Sequence, residues 1–95
     1  MSSSERTRRR LRIQIYADVL RSIHSTRKTG TVFTLYHVER MSALTHDRLK
    51  EILGELKTIG LVDSNLSVTD RGYAFLTDLS TKVIPVLDRY GMWQR

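Results

Sequence analysis

The chain has 95 residues, and its 16 Lys plus Arg against 10 Asp plus Glu give a formal net charge of +6, which leaves room for one domain and excludes large multidomain enzymes. It contains no cysteine, so disulfides, thiolate metal sites and cysteine nucleophiles are excluded. The longest stretch without a polar side chain is residues 83–87, against the roughly 18 residues of a membrane span, so we expect an unprocessed intracellular protein without a transmembrane helix.

The positive charge is concentrated at the N-terminal end. Residues 1–28 hold eight basic and two acidic residues, whereas residues 29–95 carry eight of each. Five arginines fall between Arg6 and Arg12, at the start of a helical pattern, where the helix macrodipole disfavours each cation by about 0.3 kcal/mol or more. Such an asymmetry is typical of a basic segment that contacts a polyanion, and it makes nucleic acid the leading partner class.

The N-terminal part predicts an arm, a long helix and a short strand. Residues 1–7 have the composition of a mobile basic arm. An amphipathic helix is predicted over residues 7–25, because apolar residues recur there at spacings of three and four. The β-branched and aromatic residues 31–33 then predict a very short strand.

Two further helices follow, separated by a tight turn. Thr34 is a good N-cap for a helix that ends near Met41, and Thr45 is a good N-cap for a clearer helix over residues 46–59. Gly60 supplies a left-handed C-cap. The buried stripe of the clearer helix is predicted to be Leu49, Ile52, Leu53 and Leu56.

The C-terminal part predicts a small hairpin and a last helix. Residues 61–63 and 66–68 predict two short strands joined by a tight turn at Ser64 and Asn65. Thr69 caps the last helix, which we expect Pro85 to kink or break.

This order of elements is typical of a winged helix-turn-helix domain, which is mainly α with a short β-hairpin wing. We expect three parts: a mobile basic arm over residues 1–7, the winged helix-turn-helix domain over 8–79, and a C-terminal helical extension over 80–95.

Three stretches carry a resemblance to a known family: the arginine-led residues 8–13, residues 49–62, and the wing exit over residues 66–72. With them the chain resembles, over residues 8–79, the archaeal winged-helix proteins of the 10a DNA-binding type. The resemblance implies a dimeric DNA-binding protein, either a local transcription regulator or a chromatin component, whose C-terminal helix pairs the protomers. Pro85 and Gly91 depart from a long unbroken coiled coil.

The predicted helix over residues 46–59 is the candidate reading helix. The major groove admits one α-helix, whose N-terminal side chains reach the base edges. We expect a division of labour in which the arginine cluster holds phosphates and the leading end of this helix touches bases. The DNA-binding candidates are Arg8, Arg9, Arg10, Arg12, Lys28, Thr34, Thr45, His46, Arg48, Lys50 and Asn65.

The reading helix is electrically neutral, which keeps an alternative open. Its three cations are balanced by Asp47, Glu51 and Glu55, and carboxylates repel phosphates. The alternative is a winged-helix module that binds another protein without entering a groove. Single-stranded RNA binding is less supported, because no exposed aromatic row for base stacking is apparent.

No pattern for catalysis or metal binding is readable. A nucleophile, a base and an orienting group do not converge, and His24, His37 and His46 match no metal-ligand spacing. We therefore expect no enzymatic activity, no cofactor and no metal, and the sequence identifies neither a small-molecule substrate nor a membrane partner. The expected location is the cytoplasm, in association with the nucleoid.

The apolar C-terminal end has two interpretations: it packs back on the first helix, or it forms the centre of a homodimer contact, which is the one we favour. Trp and Tyr are favoured anchors of protein interfaces, and a chain of this size gains stability by burying such a stripe against a partner. The candidate interface residues are Leu79, Val83, Leu87, Tyr90 and Trp93.

Overall fold

The computed structural model describes residues 10–29 and 34–93. In chain order the elements are α1 (Arg12–Lys28), α2 (Leu35–Ser42), α3 (His46–Thr58), α4 (Asp70–Asp78), a π-helical turn (Leu79–Val83) and α5 (Ile84–Arg89). The helices predicted after Thr34 and Thr45 are confirmed. The first helix begins at Arg12 and ends at Lys28, later at both ends than predicted.

The buried face of α1 is the surface against which α2 and α3 pack. Apolar side chains at helical spacing form this face, because residues three and four apart lie on the same side of a helix. Its buried apolar residues are Ile15, Ala17, Val19, Leu20 and Ile23. Opposite them α3 buries all four residues of its predicted stripe, and α2 adds Val38.

Three threonines start helices, as their sequence positions predict. The side-chain hydroxyls of Thr34, Thr45 and Thr69 accept hydrogen bonds from the backbone N–H three residues later, at 3.3, 3.2 and 3.0 Å. Each bond satisfies a backbone donor that has no partner inside the helix. Gly60, at φ +83°, has the predicted left-handed conformation directly after α3.

The predicted β-hairpin wing is wrong. Within residues 10–29 and 34–93 there is no strand, and the predicted wing is a loop with one isolated antiparallel bridge between Val62 and Val68. The fold of the described residues is therefore mainly helical, and the mixed class with a wing does not apply. The predicted strand over residues 31–33 lies outside the described residues.

The side chain of Asp63 explains why the ladder does not extend. Its Oδ1 accepts the backbone N–H groups of Asn65 and Ser67, at 2.9 and 3.0 Å. An Asp side chain that takes backbone donors in this way competes with sheet pairing. Leu66, with φ at 58°, also turns the backbone out of the extended region. Both effects are invisible to a pattern of alternating apolar residues.

The consecutive elements α4, the π-helical turn and α5 form one continuous helical segment over residues 70–89, here called the C-terminal rod. The rod passes through Pro85 without the expected break. The turn before the proline widens to the π form, in which the N–H of Ile84 donates to the carbonyl of Leu79. Proline lacks an N–H and its ring crowds the preceding turn, and a local π turn accommodates both. Leu79 is 2% exposed and belongs to the core, whereas α5 has no buried residue.

Gly72 allows the loop after α3 to lie directly on the first turn of α4. A Cβ at this position would lie 2.4 Å from the carbonyl oxygen of Leu61 and 2.7 Å from Cγ1 of Val68. Backbone cannot give way as a flexible side chain can, so only glycine fits here.

We predict that Gly72→Ala lowers the free energy of unfolding by about 1–3 kcal/mol or more, because the added methyl overpacks against backbone. Gly54→Ala is the matched control. Gly54 lies inside α3, and a methyl group added there would have no neighbouring atom within 4 Å, so alanine should stabilise the protein by about 1 kcal/mol through helix propensity. Urea unfolding followed by circular dichroism measures both, and equal effects would contradict the close contact.

Candidate nucleic-acid interface

Arg10 connects the start of α1 to the turn between α2 and α3. One guanidinium nitrogen, Nη1, donates to the carboxylate of Asp18 at 2.6 Å and to the carbonyl oxygen of Ser42 at 2.8 Å. The other, Nη2, lies 3.5 Å from the carbonyl oxygen of Ala43. A charged donor between a carboxylate and helix C-terminal carbonyls is a strong arrangement. Arg10, which the sequence predicts as a phosphate contact, forms these bonds within the protein and stays partly exposed.

The turn beside Arg10 has the length used by helix-turn-helix motifs. Residues 43–45 separate α2 from α3, and Ala43 closes α2 in the left-handed conformation at φ 58°. Arg10 is the first residue that the structure describes, and it lies next to this turn. Arg8 and Arg9, which directly precede Arg10 in the sequence, lie outside the described residues.

Arg12 and Tyr16 both bind Glu55 of α3. Arg12 forms a salt bridge with Oε1 of Glu55, and the Tyr16 hydroxyl donates to the same oxygen at 2.6 Å. The hydrogen bond from Tyr16, followed by that from Arg12, lowers the pKa of Glu55 below its ordinary value. The same bonds to Glu55 raise the pKa values of Arg12 and Tyr16.

A second carboxylate of α3 is also paired. Arg48 donates to Glu51 at 2.8 Å, one turn along the helix. Among the described residues, the exposed Lys50 and Lys57 have no ion-pair partner, and neither has Asp47. The exposed side of α3 therefore carries two lysines and one aspartate without an ion-pair partner, while Glu51 and Glu55 are paired within the protein.

The leading end of α3 is exposed and polar. Thr45 is the N-cap, and the ring Nδ1 of His46 lies 2.7 Å from Oε2 of Glu39 on α2. This pair ties the first turn of α3 to the preceding helix. Thr45, His46, Arg48 and Lys50 thus lie within about one and a half turns of the start of α3, with Arg48 and Lys50 on opposite flanks of the helix.

Lys28, Thr34 and Asn65 lie away from α3. Lys28 is exposed at the end of α1, and Thr34 is exposed at the start of α2. The backbone carbonyl of Asn65, at the tip of the loop after α3, accepts a hydrogen bond from Arg27 at 2.6 Å. Arg27 therefore brings the loop tip next to Lys28.

Sequence reasoning did not single out Asp18, Tyr16 or Arg27 as parts of this surface. Asp18 is 8 positions from Arg10, and Glu55 is 43 positions from Arg12, so no local spacing indicates either pair. The Arg48 and Glu51 pair, at three positions apart, does have a recognisable helical spacing.

The predicted dimer residues divide into two groups. Leu79 is buried in the core and is unavailable to a partner. Val83 and Tyr90 are exposed, and Leu87 and Trp93 are half-buried. Sequence periodicity alone did not indicate where the stripe leaves the core.

Over the described residues, no three His, Cys, Asp or Glu side chains are grouped as a metal site would require. No helix in this part of the chain combines the length and the apolar character needed to cross a bilayer. No family model, curated protein or solved structure matches the chain.

We predict that Tyr16→Phe raises the pKa of Glu55 towards its ordinary value, because the variant loses the hydrogen bond with the largest effect on that carboxylate. Carboxyl ¹³C shifts measured against pH give this value directly. Tyr36→Phe, on α2, is the control and should leave Glu55 unchanged.

The lowered pKa of Glu55 determines in which direction the free energy of unfolding changes with pH. A carboxylate whose pKa is lowered by folding stabilises the protein above its unfolded pKa, and this contribution is lost as the pH falls through the folded value. The wild type should therefore exceed Glu55→Gln in stability at pH 7, by a margin that shrinks below about pH 4.5. A margin independent of pH would contradict an ionised, paired Glu55.

Proposed function

We propose that this protein is a non-enzymatic DNA-binding protein, either a small transcription regulator or a chromatin protein, that acts as a homodimer on the nucleoid. Its N-terminal arginines and Lys28 contact phosphates, and the first turns of α3 enter the major groove. The observation that carries the proposal is the position of Arg10. Because Arg10 is fixed to the turn between α2 and α3, the preceding arginines join the described chain beside the proposed reading helix.

The charge pairing on α3 supports the same proposal. A neutral helix face is a poor match for a polyanion. Arg48 and Arg12 compensate Glu51 and Glu55, so two of the three carboxylates of α3 are already paired before DNA arrives. Among the described residues Lys50, Lys57 and Asp47 have no ion-pair partner, so the unpaired side chains of this face carry one more positive than negative charge.

We predict that replacing Arg8 and Arg9 with alanine weakens binding to every duplex by a similar factor. Each lost phosphate contact should make the slope of log K against log salt less steep by about 0.9, so the double variant should change it by about 1.8. Fluorescence anisotropy on an unrelated labelled duplex, between about 50 and 200 mM salt, measures both quantities.

Lys82→Ala is the matched control, since Lys82 is exposed on the π turn and distant in sequence from the arm and from α3. It should leave the slope unchanged. Lys50→Ala should change the preference between sequences, because direct readout at base edges distinguishes duplexes whereas phosphate contacts do not. A loss on Arg8 and Arg9 replacement that is confined to one sequence would contradict the phosphate role.

A protein-binding module is the second candidate function. It is favoured by the exposed Asp47 and Glu51 at the centre of the outward face of α3, where a groove-binding helix ordinarily carries cations. The fluorescence-anisotropy measurement at several salt concentrations distinguishes DNA binding from protein binding. Absence of binding to random-sequence duplexes at the lowest salt would favour a protein partner, and steep salt dependence would favour DNA.

The homodimer is part of the proposal. We predict that Tyr90→Glu makes the protein monomeric in light scattering, because a charge placed on an apolar interface must be desolvated without a partner. Tyr90 is 66% exposed in the chain, so the fold should tolerate the change. Tyr36→Glu, at an exposed position on α2, is the control and should leave the mass unchanged. A wild-type protein that is already monomeric would refute the dimer.

A further inference from the structure

Residues 83–93, which comprise the end of the rod and the four residues after it, are here called the tail. It presents an apolar face that its own core does not cover: α5 has no buried residue and continues directly from the π turn that precedes it. Val83, Val86, Leu87 and Tyr90 have the spacing of one helix face. Tyr90 is 66% exposed and Met92 57% exposed.

A second apolar surface lies where α1, the end of α3 and α4 meet, and is here called the α4 groove. It is an open groove of about 420 Å³. Ile59, on its wall, is 44% exposed. The lining residues are Ile13, Tyr16, Ile59, Leu61, Ala74 and Phe75, together with the charged Arg71 and Asp78.

The tail cannot fill the groove of its own chain while the rod stays helical. Asp78 lines the groove, and Arg89, the last helical residue, lies eleven positions further along one continuous helical segment. At a rise of about 1.5 Å per residue in its α-helical part, this segment carries Arg89 roughly 15 Å away from Asp78. A tail that stays helical therefore lies away from the groove of its own chain, and a second copy can bring the two apolar surfaces together.

Two tails paired with each other would have a smaller packing surface than a tail in the α4 groove. The stripe from Val83 to Tyr90 covers about one heptad, whereas a stable coiled coil needs about three or more. The groove offers three elements as a packing surface. Its charges are also compatible with the tail: Asp78, whose ion pair with Lys82 is exposed and 3.5 Å long, has the opposite sign to the exposed Arg89 of the tail.

We propose that the tail of one copy of this chain packs in the α4 groove of a second copy, and that the second copy does the same in return. The exchange closes a two-fold dimer, because the two contacts are identical and leave no further groove open. The inference rests on the homodimer of the proposed function and specifies the surfaces that form it. It is independent of whether α3 binds DNA.

The cysteine-free sequence allows a direct test by disulfide cross-linking of the full chain. Ile59→Cys and Met92→Cys are made separately, mixed in equal amounts and oxidised. We expect a disulfide between the two different variants as the main product. Tyr36→Cys mixed with Met92→Cys is the control, and should give at least about tenfold less mixed dimer, because Tyr36 is exposed on α2 and does not line the groove.

The other products identify the other arrangements. Met92→Cys that cross-links mainly to itself would indicate paired tails, which overturns the groove contact but leaves the dimer. An intrachain disulfide in the dilute double variant would place the tail on its own groove and also overturn the proposal. Cross-linking of Ile59→Cys to a Ser4→Cys variant in preference to Met92→Cys would assign the groove to the N-terminal segment.

A substitution in the groove gives an independent measurement. Ile59→Glu should weaken self-association in light scattering by more than about tenfold, since it places a charge where apolar tail residues pack. Circular dichroism should show the helical content unchanged, because Ile59 is partly exposed at the end of α3. A dimer of unchanged affinity with this variant would overturn the proposal, whereas a monomeric wild type would overturn the dimer as well.

Discussion

The buried apolar face of α1 holds α2 and α3 against one helix. Val19, Leu20 and Ile23 are fully buried, and α2 and α3 both pack against this helix. Three different polar ties then fix what lies at its edges: Arg10 holds the turn between α2 and α3, Arg12 holds α3, and Arg27 holds the loop tip. One helix thus supplies both the apolar core and the charged contacts that orient the proposed reading helix.

What could be predicted from the sequence was local. The threonine caps, the left-handed Gly60 and the stripe of α3 depend on residues within one or two turns, and all were predicted correctly. The hairpin prediction was wrong although residues 61–63 and 66–68 do have the residue types of strands. The side chain of Asp63 accepts backbone N–H groups of the loop that would otherwise be available for further ladder hydrogen bonds. The burial of Leu79 was not predicted, because the periodic stripe of apolar residues continues through the π turn whereas the buried part of the helix ends there.

For the candidate site, the sequence predicts the charge of a region but not the partners of its individual arginines. Counting charges predicts a basic N-terminal region, and that count holds for the sequence whatever the fold. It does not tell which arginines face a partner molecule, because Asp18 and Glu55 reach Arg10 and Arg12 only through tertiary packing. A net charge counts an ion-paired arginine and an exposed, unpaired lysine equally. Only the lysine can contact a phosphate without an ion pair being broken.

This pairing changes how the neutrality of α3 bears on DNA binding. If Arg12 moved from Glu55 to a phosphate, one attraction would be gained, but a carboxylate would be left uncompensated near the DNA. Coulomb repulsion between that carboxylate and the phosphates would offset much of the gain. Arg12 therefore serves binding better by remaining on Glu55, where Tyr16 shares the same oxygen and keeps the carboxylate occupied. Under the proposed function, the affinity then comes from Arg8, Arg9 and the exposed lysines, while Arg10 is bonded to the turn before α3 and Arg12 to α3 itself.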